Sequence, residues 1–169
     1  MTDPLVALAR EAITAQVTEG RLIGVPSGIK KDLQQKAGVF VSLHKGDSLR
    51  GCIGTFMPTR DNLALEIIQN AISAAQEDPR FPPVRKEELR DLDISVDVLF
   101  PPEKVDGIEE LDAKKYGVIV KAGYKRGLLL PDLDGVDTPA QQIQICRMKG
   151  GIGEKEPVEL FRFEVKRHH

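Results

Sequence analysis

Val39-Phe-Val-Ser-Leu-His-Lys-Gly-Asp-Ser-Leu-Arg-Gly-Cys-Ile-Gly-Thr-Phe56 contains two apolar runs on either side of Lys45-Gly-Asp-Ser48, the pattern of a β-hairpin. Its register decides which side chains share a face, because a slip of one residue exchanges the faces of one strand relative to the other. A two-residue loop at Gly46-Asp47 would set Val41 against Cys52 and Leu43 against Arg50, placing a charge on the most apolar face. A three-residue loop, Gly46-Asp47-Ser48, sorts Val39, Val41, Leu43, Leu49 and Ile53 to one side. It leaves Phe40, Ser42, His44, Arg50, Cys52 and Gly54 on the other. The three-residue loop is therefore expected, with His44 opposite Arg50 and Ser42 opposite Cys52. His44 is then a diagonal neighbour of Cys52 at about 7–8 Å between Cα atoms.

Working outward, Leu5, Leu8, Ala9, Ala12, Ile13, Gln16 and Val17 recur at helical spacing over residues 4 to 18, between Pro4 and Gly20. A second helix, capped by Thr59 or Asp61, runs to about Gln76 with Leu63, Ile67, Ile68, Ala71, Ile72 and Ala75 as its buried stripe. A helical turn at Lys86–Leu89 precedes a half-buried strand, Ile94-Ser-Val-Asp-Val98. A short helix is expected near Asp106 to Leu111. A second hairpin pairs Tyr116–Lys121 with Gly127–Leu130, and Thr138 caps a helix from Pro139 to Met148 ended by Gly150-Gly151. One final strand is read from Val158 to Val165. Hairpin-linked strands with irregularly placed helices indicate an α+β fold, an antiparallel β-sheet with helices packed on it, rather than a doubly wound parallel sheet.

The 169 residues suit one domain, or a domain with a small lobe. Lys plus Arg number 24 and Asp plus Glu 26, for a net charge of −2, so no overall positive field draws the chain to nucleic acid or anionic membrane. No apolar run approaches the ~18 residues of a membrane span. Asp3 and Glu11 interrupt the basic, unbroken apolar start of a signal peptide, so a cytoplasmic location with reduced cysteines is expected. His168 and His169 are set aside as possible tag residue. Two separate cysteines and one internal histidine provide no zinc spacing. Gly150-Gly-Ile-Gly-Glu-Lys-Glu156 follows a helix and lacks the features of a dinucleotide or Walker loop, so it reads as a helix stop. No metal and no cofactor are expected. The pairs Glu87-Glu88 and Glu109-Glu110 read as solvated charge.

Chemistry concentrates in Leu49-Arg-Gly-Cys-Ile-Gly54 and Asp78-Pro-Arg-Phe-Pro-Pro83. Glycines inside a strand leave bare backbone, so Gly51 and Gly54 signal a bulge or the close approach of another group. A guanidinium near Cys52 would favour thiolate, and His44 could move its proton, the ingredients of a cysteine nucleophile. The ordinary alternative is that Cys52 is an inert buried thiol and Arg50 a structural ion-pair partner. Cys146 reads as core. Prolines restrain the backbone that presents Arg80 and Phe81. If Arg80 and Arg50 converge they form an anion-accepting corner; otherwise Phe81 anchors the loop and Arg80 pairs locally.

On these two motifs, with Ser95-Val-Asp-Val-Leu99, Tyr116-Gly-Val-Ile-Val120 and Gly127-Leu-Leu-Leu-Pro131, the chain resembles the AMMECR domain family from about Leu5 to Val165. Prokaryotic members are called AmmeMemoRadiSam system protein A. The resemblance implies a single domain over residues 1–167, with an antiparallel sheet in a larger part holding both termini and a smaller inserted lobe. It implies association with a Memo-like protein and a radical S-adenosylmethionine protein, whose cluster this chain cannot hold, having no Cys-x-x-x-Cys-x-x-Cys. It carries over Arg50, Gly51, Cys52, Ile53 and Gly54 as signature residues, without an established reaction, and does not include His44. The leading expectation is a cleft for a small ligand or protein partner around Arg50, Gly51, Gly54, Arg80 and Phe81. The alternatives are a thiol enzyme, with Cys52 as nucleophile and Arg50 as anion stabiliser, and an RNA-binding module. The acidic balance and 5% aromatic content disfavour the RNA-binding module.

Overall fold

The computed structural model describes residues 2–169. The chain divides into two compact units, the first comprising residues up to Leu99 together with Lys166–His169, the second Phe100–Val165. Each has one four-stranded sheet, so the fold is α+β with antiparallel hairpins and an inserted smaller lobe.

In the first unit, α1 (Pro4–Glu19) begins where the Asp3 carboxylate accepts from the Leu5 and Val6 N–H groups, and stops at Gly20, whose φ is +62°. Next come β1 (Gly38–Lys45), β2 (Ser48–Thr55), α2 (Leu63–Gln76) and β3 (Leu92–Leu99). The sheet is completed by β8 (Val165–His168), in the order β2-β1-β3-β8. Val39, Val41 and Leu43 are fully buried with Val96 and the apolar stripes of α1 and α2. Alternation along the strands therefore sends Phe40, Ser42 and His44 to the far face, away from the helices.

The hairpin combines the two registers weighed from sequence. Lys45 pairs with Ser48 across a two-residue turn in which Gly46 has a φ of +59°, and His44 pairs with Leu49. A register shift at Leu43/His44 then restores Leu43↔Gly51, Ser42↔Cys52 and Val41↔Ile53. His44 is thus opposite Leu49, not Arg50, and Leu49 lies on the far face, 37% exposed. The bulge lets a tight glycine turn coexist with apolar sorting, because the one extra residue, Arg50, resets the alternation.

The cap of α2 is Asn62, whose side chain accepts from the Leu65 N–H. Thr59, expected there, instead gives its N–H and hydroxyl to the Glu66 carboxylate. The turn at Lys86–Asp91 is 3-10 helical, as is a turn at Lys31–Gln34 that sequence periodicity did not reveal.

The second unit contains β4 (Glu103–Val105), a 3-10 turn at Ile108–Glu110, β5 (Gly117–Ala122), β6 (Lys125–Leu129), α3 (Pro139–Gly150) and β7 (Glu159–Phe163), with sheet order β4-β7-β5-β6. Thr138 and Gln141 cap α3 reciprocally and Gly151 ends it with a φ of +67°. Val118, Val120, Leu129, Cys146 and Ile152 form its core. The strand β4 is too short to show alternation. The single terminal strand expected over Val158–Val165 is two strands, β7 and β8, interrupted at Glu164 and belonging to different sheets.

Candidate functional site

The far face of the first unit's sheet gathers polar side chains around Cys52. The Ser42 hydroxyl and Cys52 thiol, directly opposed in register, are 3.3 Å apart. On β3 the same alternation brings Ser95 opposite Ser42 and Asp97 opposite Phe40. Asp97 is only 2% exposed and takes the Arg167 guanidinium with both oxygens, at 2.8 and 3.1 Å. The alternation of Ser95-Val-Asp-Val98 carried this signal, but Arg167 stood beyond the expected last strand.

Asp78, at the end of α2, is the hub beside this face. Its carboxylate accepts from the Cys52 N–H at 3.0 Å, the Arg80 N–H at 3.0 Å, and Arg80 Nε and Nη2 at 3.0 and 2.8 Å. Arg80 Nη2 also donates to the Cys52 carbonyl at 3.3 Å. The Arg80 hydrogen bonds hold the Asp78 carboxyl far below the usual carboxylate range, with the Cys52 N–H assisting. The Asp78 side chain is 2% exposed, whereas that of Arg80 is 56% exposed, and its guanidinium lies 5.5 Å from the Phe81 ring centre.

Arg50 is held separately. Glu88 takes its Nε and Nη2 at 3.0 and 3.1 Å, and also accepts from Lys45 Nζ at 3.2 Å and the Arg85 N–H at 2.8 Å. These bonds, Arg50's foremost, lower the Glu88 pKa from 4.5 to about 2. Glu88 is therefore a buried ion-pair partner, not the solvated charge expected. The nitrogen Nη1 of Arg50 is buried without a hydrogen-bond partner among the described residues. Arg50 and Arg80 each have their own carboxylate rather than forming one bare corner.

The close approaches foreseen at Gly51 and Gly54 are made by the protein's own atoms. A Cβ on Gly51 would run into the Ala74 carbonyl oxygen of α2, and one on Gly54 into the Phe40 ring. His44 sits at the turn end of the hairpin, while the side chain that meets the Cys52 thiol is Ser42. Burial pushes the Cys52 pKa up; the Ser42 hydrogen bond and the Arg80 charge oppose this without overcoming it. Cys146 is fully buried, and burial raises its thiol to about 12.

A second network ties the hairpin to α2. Glu66, 1% exposed, accepts from the hydroxyls of Thr55 and Thr59 and from the N–H groups of Thr59 and Arg60. Burial opposes its ionisation, yet these four bonds hold it below its ordinary range. Asn70, one turn on, donates to the Val39 carbonyl and the Thr55 hydroxyl, both at 3.0 Å. Among the described residues no cluster of three or more His, Cys, Asp or Glu is arranged to hold a metal ion. None of their helices is long and apolar enough to cross a membrane.

Two α+β units, with an arginine- and cysteine-bearing hairpin at the edge of the first sheet, define the structural class. The family described as AMMECR1 matches residues 6–168, and the chain belongs to it. A Thermotoga maritima protein is 53% identical over 168 residues, covering 98% of this chain and 97% of the relative. A Clostridium acetobutylicum protein is 51% identical over 98% of this chain, which spans only 36% of that longer relative. The crystal structure of an uncharacterized protein from Pyrococcus horikoshii superimposes with a TM-score of 0.88. It is 33% identical in sequence, with 96% of this chain and 88% of that one covered.

Proposed function

We propose that this AMMECR1-family protein is a binding module whose hairpin and the loop after α2 recognise an anionic group, a carboxylate or phosphate, on a small ligand or protein partner. The observation that carries this reading is the state of Arg50: Lys45 and Arg50 share the single carboxylate of Glu88, leaving one positive charge in excess within this trio, and among the described residues Arg50 Nη1 is buried without a hydrogen-bond partner. A buried donor left unbonded costs about 1–3 kcal/mol, a cost that an acceptor would recover only by displacing what covers the guanidinium. Arg80 adds a second cation, held in orientation by Asp78 while more than half of its side chain faces solvent. A side chain ordered in advance loses little freedom on binding.

The thiol-enzyme reading is less well supported, because an activated cysteine needs a lowered pKa and that of Cys52 is raised. The family resemblance suggests the partners: a Memo-like and a radical S-adenosylmethionine protein.

The test is calorimetric titration of the purified chain with the Memo-like and radical S-adenosylmethionine proteins of the same genome. Wild type is compared with Arg80→Ala and with Arg50→Lys, which keeps the charge but removes the guanidinium fork. Binding weakened at least tenfold by either change, with circular dichroism unaltered, is expected. Undiminished binding in both variants, or no binding by wild type, counts against this reading. Iodoacetamide labelling of Cys52 with a midpoint well below the ordinary ~8.5 would restore the thiol enzyme.

A further inference from the structure

Among the described residues the strand β2 is outermost in its sheet, with no strand neighbouring one side of its backbone. In an antiparallel pair, residues alternate between exchanging both hydrogen bonds with their opposite number and turning both groups away. Cys52, opposite Ser42, turns away: its N–H is bound by Asp78 Oδ2 at 3.0 Å and its carbonyl by Arg80 Nη2 at 3.3 Å. These are the two groups, on one residue, that an added strand would take.

We propose that the Asp78–Arg80 pair is a strand surrogate: it occupies the free edge of β2 at Cys52 and keeps a second copy of this chain from pairing edge to edge there. A carboxylate acceptor and a guanidinium donor, joined to each other by two hydrogen bonds, reproduce the acceptor and donor of one residue in a neighbouring antiparallel strand. The surrogate is anchored, since Asp78 is buried and its Oδ1 also takes the Arg80 N–H. Towards the turn, the register shift at Leu43/His44 and the Arg50–Glu88 pair make the edge irregular and charged, two further obstacles to strand addition. A β2-to-β2 contact would be self-complementary about a two-fold axis, so a second copy is the partner this edge most needs to refuse. The inference stands apart from the binding proposal, because it concerns backbone groups and self-association rather than an anionic ligand.

The experiment uses Asp78→Ser/Arg80→Ser, which removes both members and leaves no lone charge. Amide hydrogen exchange is followed by NMR in dilute protein, and sedimentation velocity is run over a range of concentrations. Exchange at Cys52 is expected to quicken at least tenfold while Ile53, whose N–H faces β1, keeps its protection. The variant should also self-associate at concentrations where wild type does not. An unchanged Cys52 rate overturns the surrogate, and a variant no more associated than wild type overturns the guarding role. If the double variant loses protection at Ile53 and so fails to fold, Arg80→Ala, which frees the Cys52 carbonyl and the Asp78 carboxylate from the guanidinium but leaves the Cys52 N–H its Asp78 acceptor, must still increase self-association. If it does not, the proposal fails.

Discussion

Glu88 grips the Arg50 guanidinium with two carboxylate oxygens, joining the 3-10 turn at Lys86–Asp91 to the bulged end of the hairpin. Removing one partner of a buried pair leaves the other charge uncompensated, which costs about 3–5 kcal/mol. Glu88→Ala is therefore expected to lower the urea midpoint strongly. Arg50→Met/Glu88→Leu should recover much of the loss. A double variant no more stable than Glu88→Ala alone would contradict this account.

Gly51 and Gly54 make a second, purely steric prediction. Gly51→Ala forces Cβ against the α2 backbone at Ala74, which cannot swing aside as a side chain can. It should cost about 1–3 kcal/mol, as overpacking does. Gly54→Ala meets the Phe40 ring and the Val39 carbonyl and should also destabilise. Gly24→Ala, with open space around it and no positive φ, is expected to be neutral or slightly stabilising in the same thermal melt. Equal effects at Gly51 and Gly24 would exclude a packing role.

Acid should weaken the fold in a defined order. The Glu88 pKa is lowered from 4.5 to about 2, so its contribution is complete above the unfolded value and is lost as pH falls from about 4.5 towards 2. Glu66 acts in the same direction, and the Asp78 contribution persists to lower pH because its carboxyl is held lower still. Urea titrations at successive pH values should show stability falling through this window, with a shallower fall in Glu88→Gln. A pH-independent midpoint between 5 and 2 would rule this out.

The thiols should differ in reactivity. Iodoacetamide should label Cys52 slowly, with a midpoint above that of an ordinary thiol, and leave Cys146 untouched in the native state. Ser42→Ala should move the Cys52 midpoint higher still, because the hydroxyl hydrogen bond favours thiolate. A downward movement would show that the hydroxyl favours the neutral thiol instead.

Much of the architecture was legible because it rests on local chemistry. Pro4 and Gly20 bracket α1, Thr138 starts α3, and the alternation of Val39, Val41 and Leu43 marks the buried face of β1. The turn was misread because periodicity cannot distinguish a longer loop from a shorter loop followed by a bulge: both restore Ser42 opposite Cys52. Arg80 pairs locally with Asp78, but Asp78 and Glu88 lie 26 and 38 residues from Cys52 and Arg50, and nothing in their neighbourhoods announces those two partners. Glu66 could have been found, since a carboxylate on the apolar stripe of α2 demands donors. The bracketing of Cys52 by Asp78 and Arg80 depends on where α2 ends against the sheet, which is tertiary information.

The break at Glu164 has a consequence for synthesis. A ribosome that has released residues 1–99 has delivered both long helices of the first unit and only three of its strands. The fourth, β8, arrives after the whole second unit, bringing the Arg167 that neutralises buried Asp97. Until residues 165–168 emerge, the outer edge of β3 lacks its neighbour and the Asp97 carboxylate lacks the guanidinium that answers it.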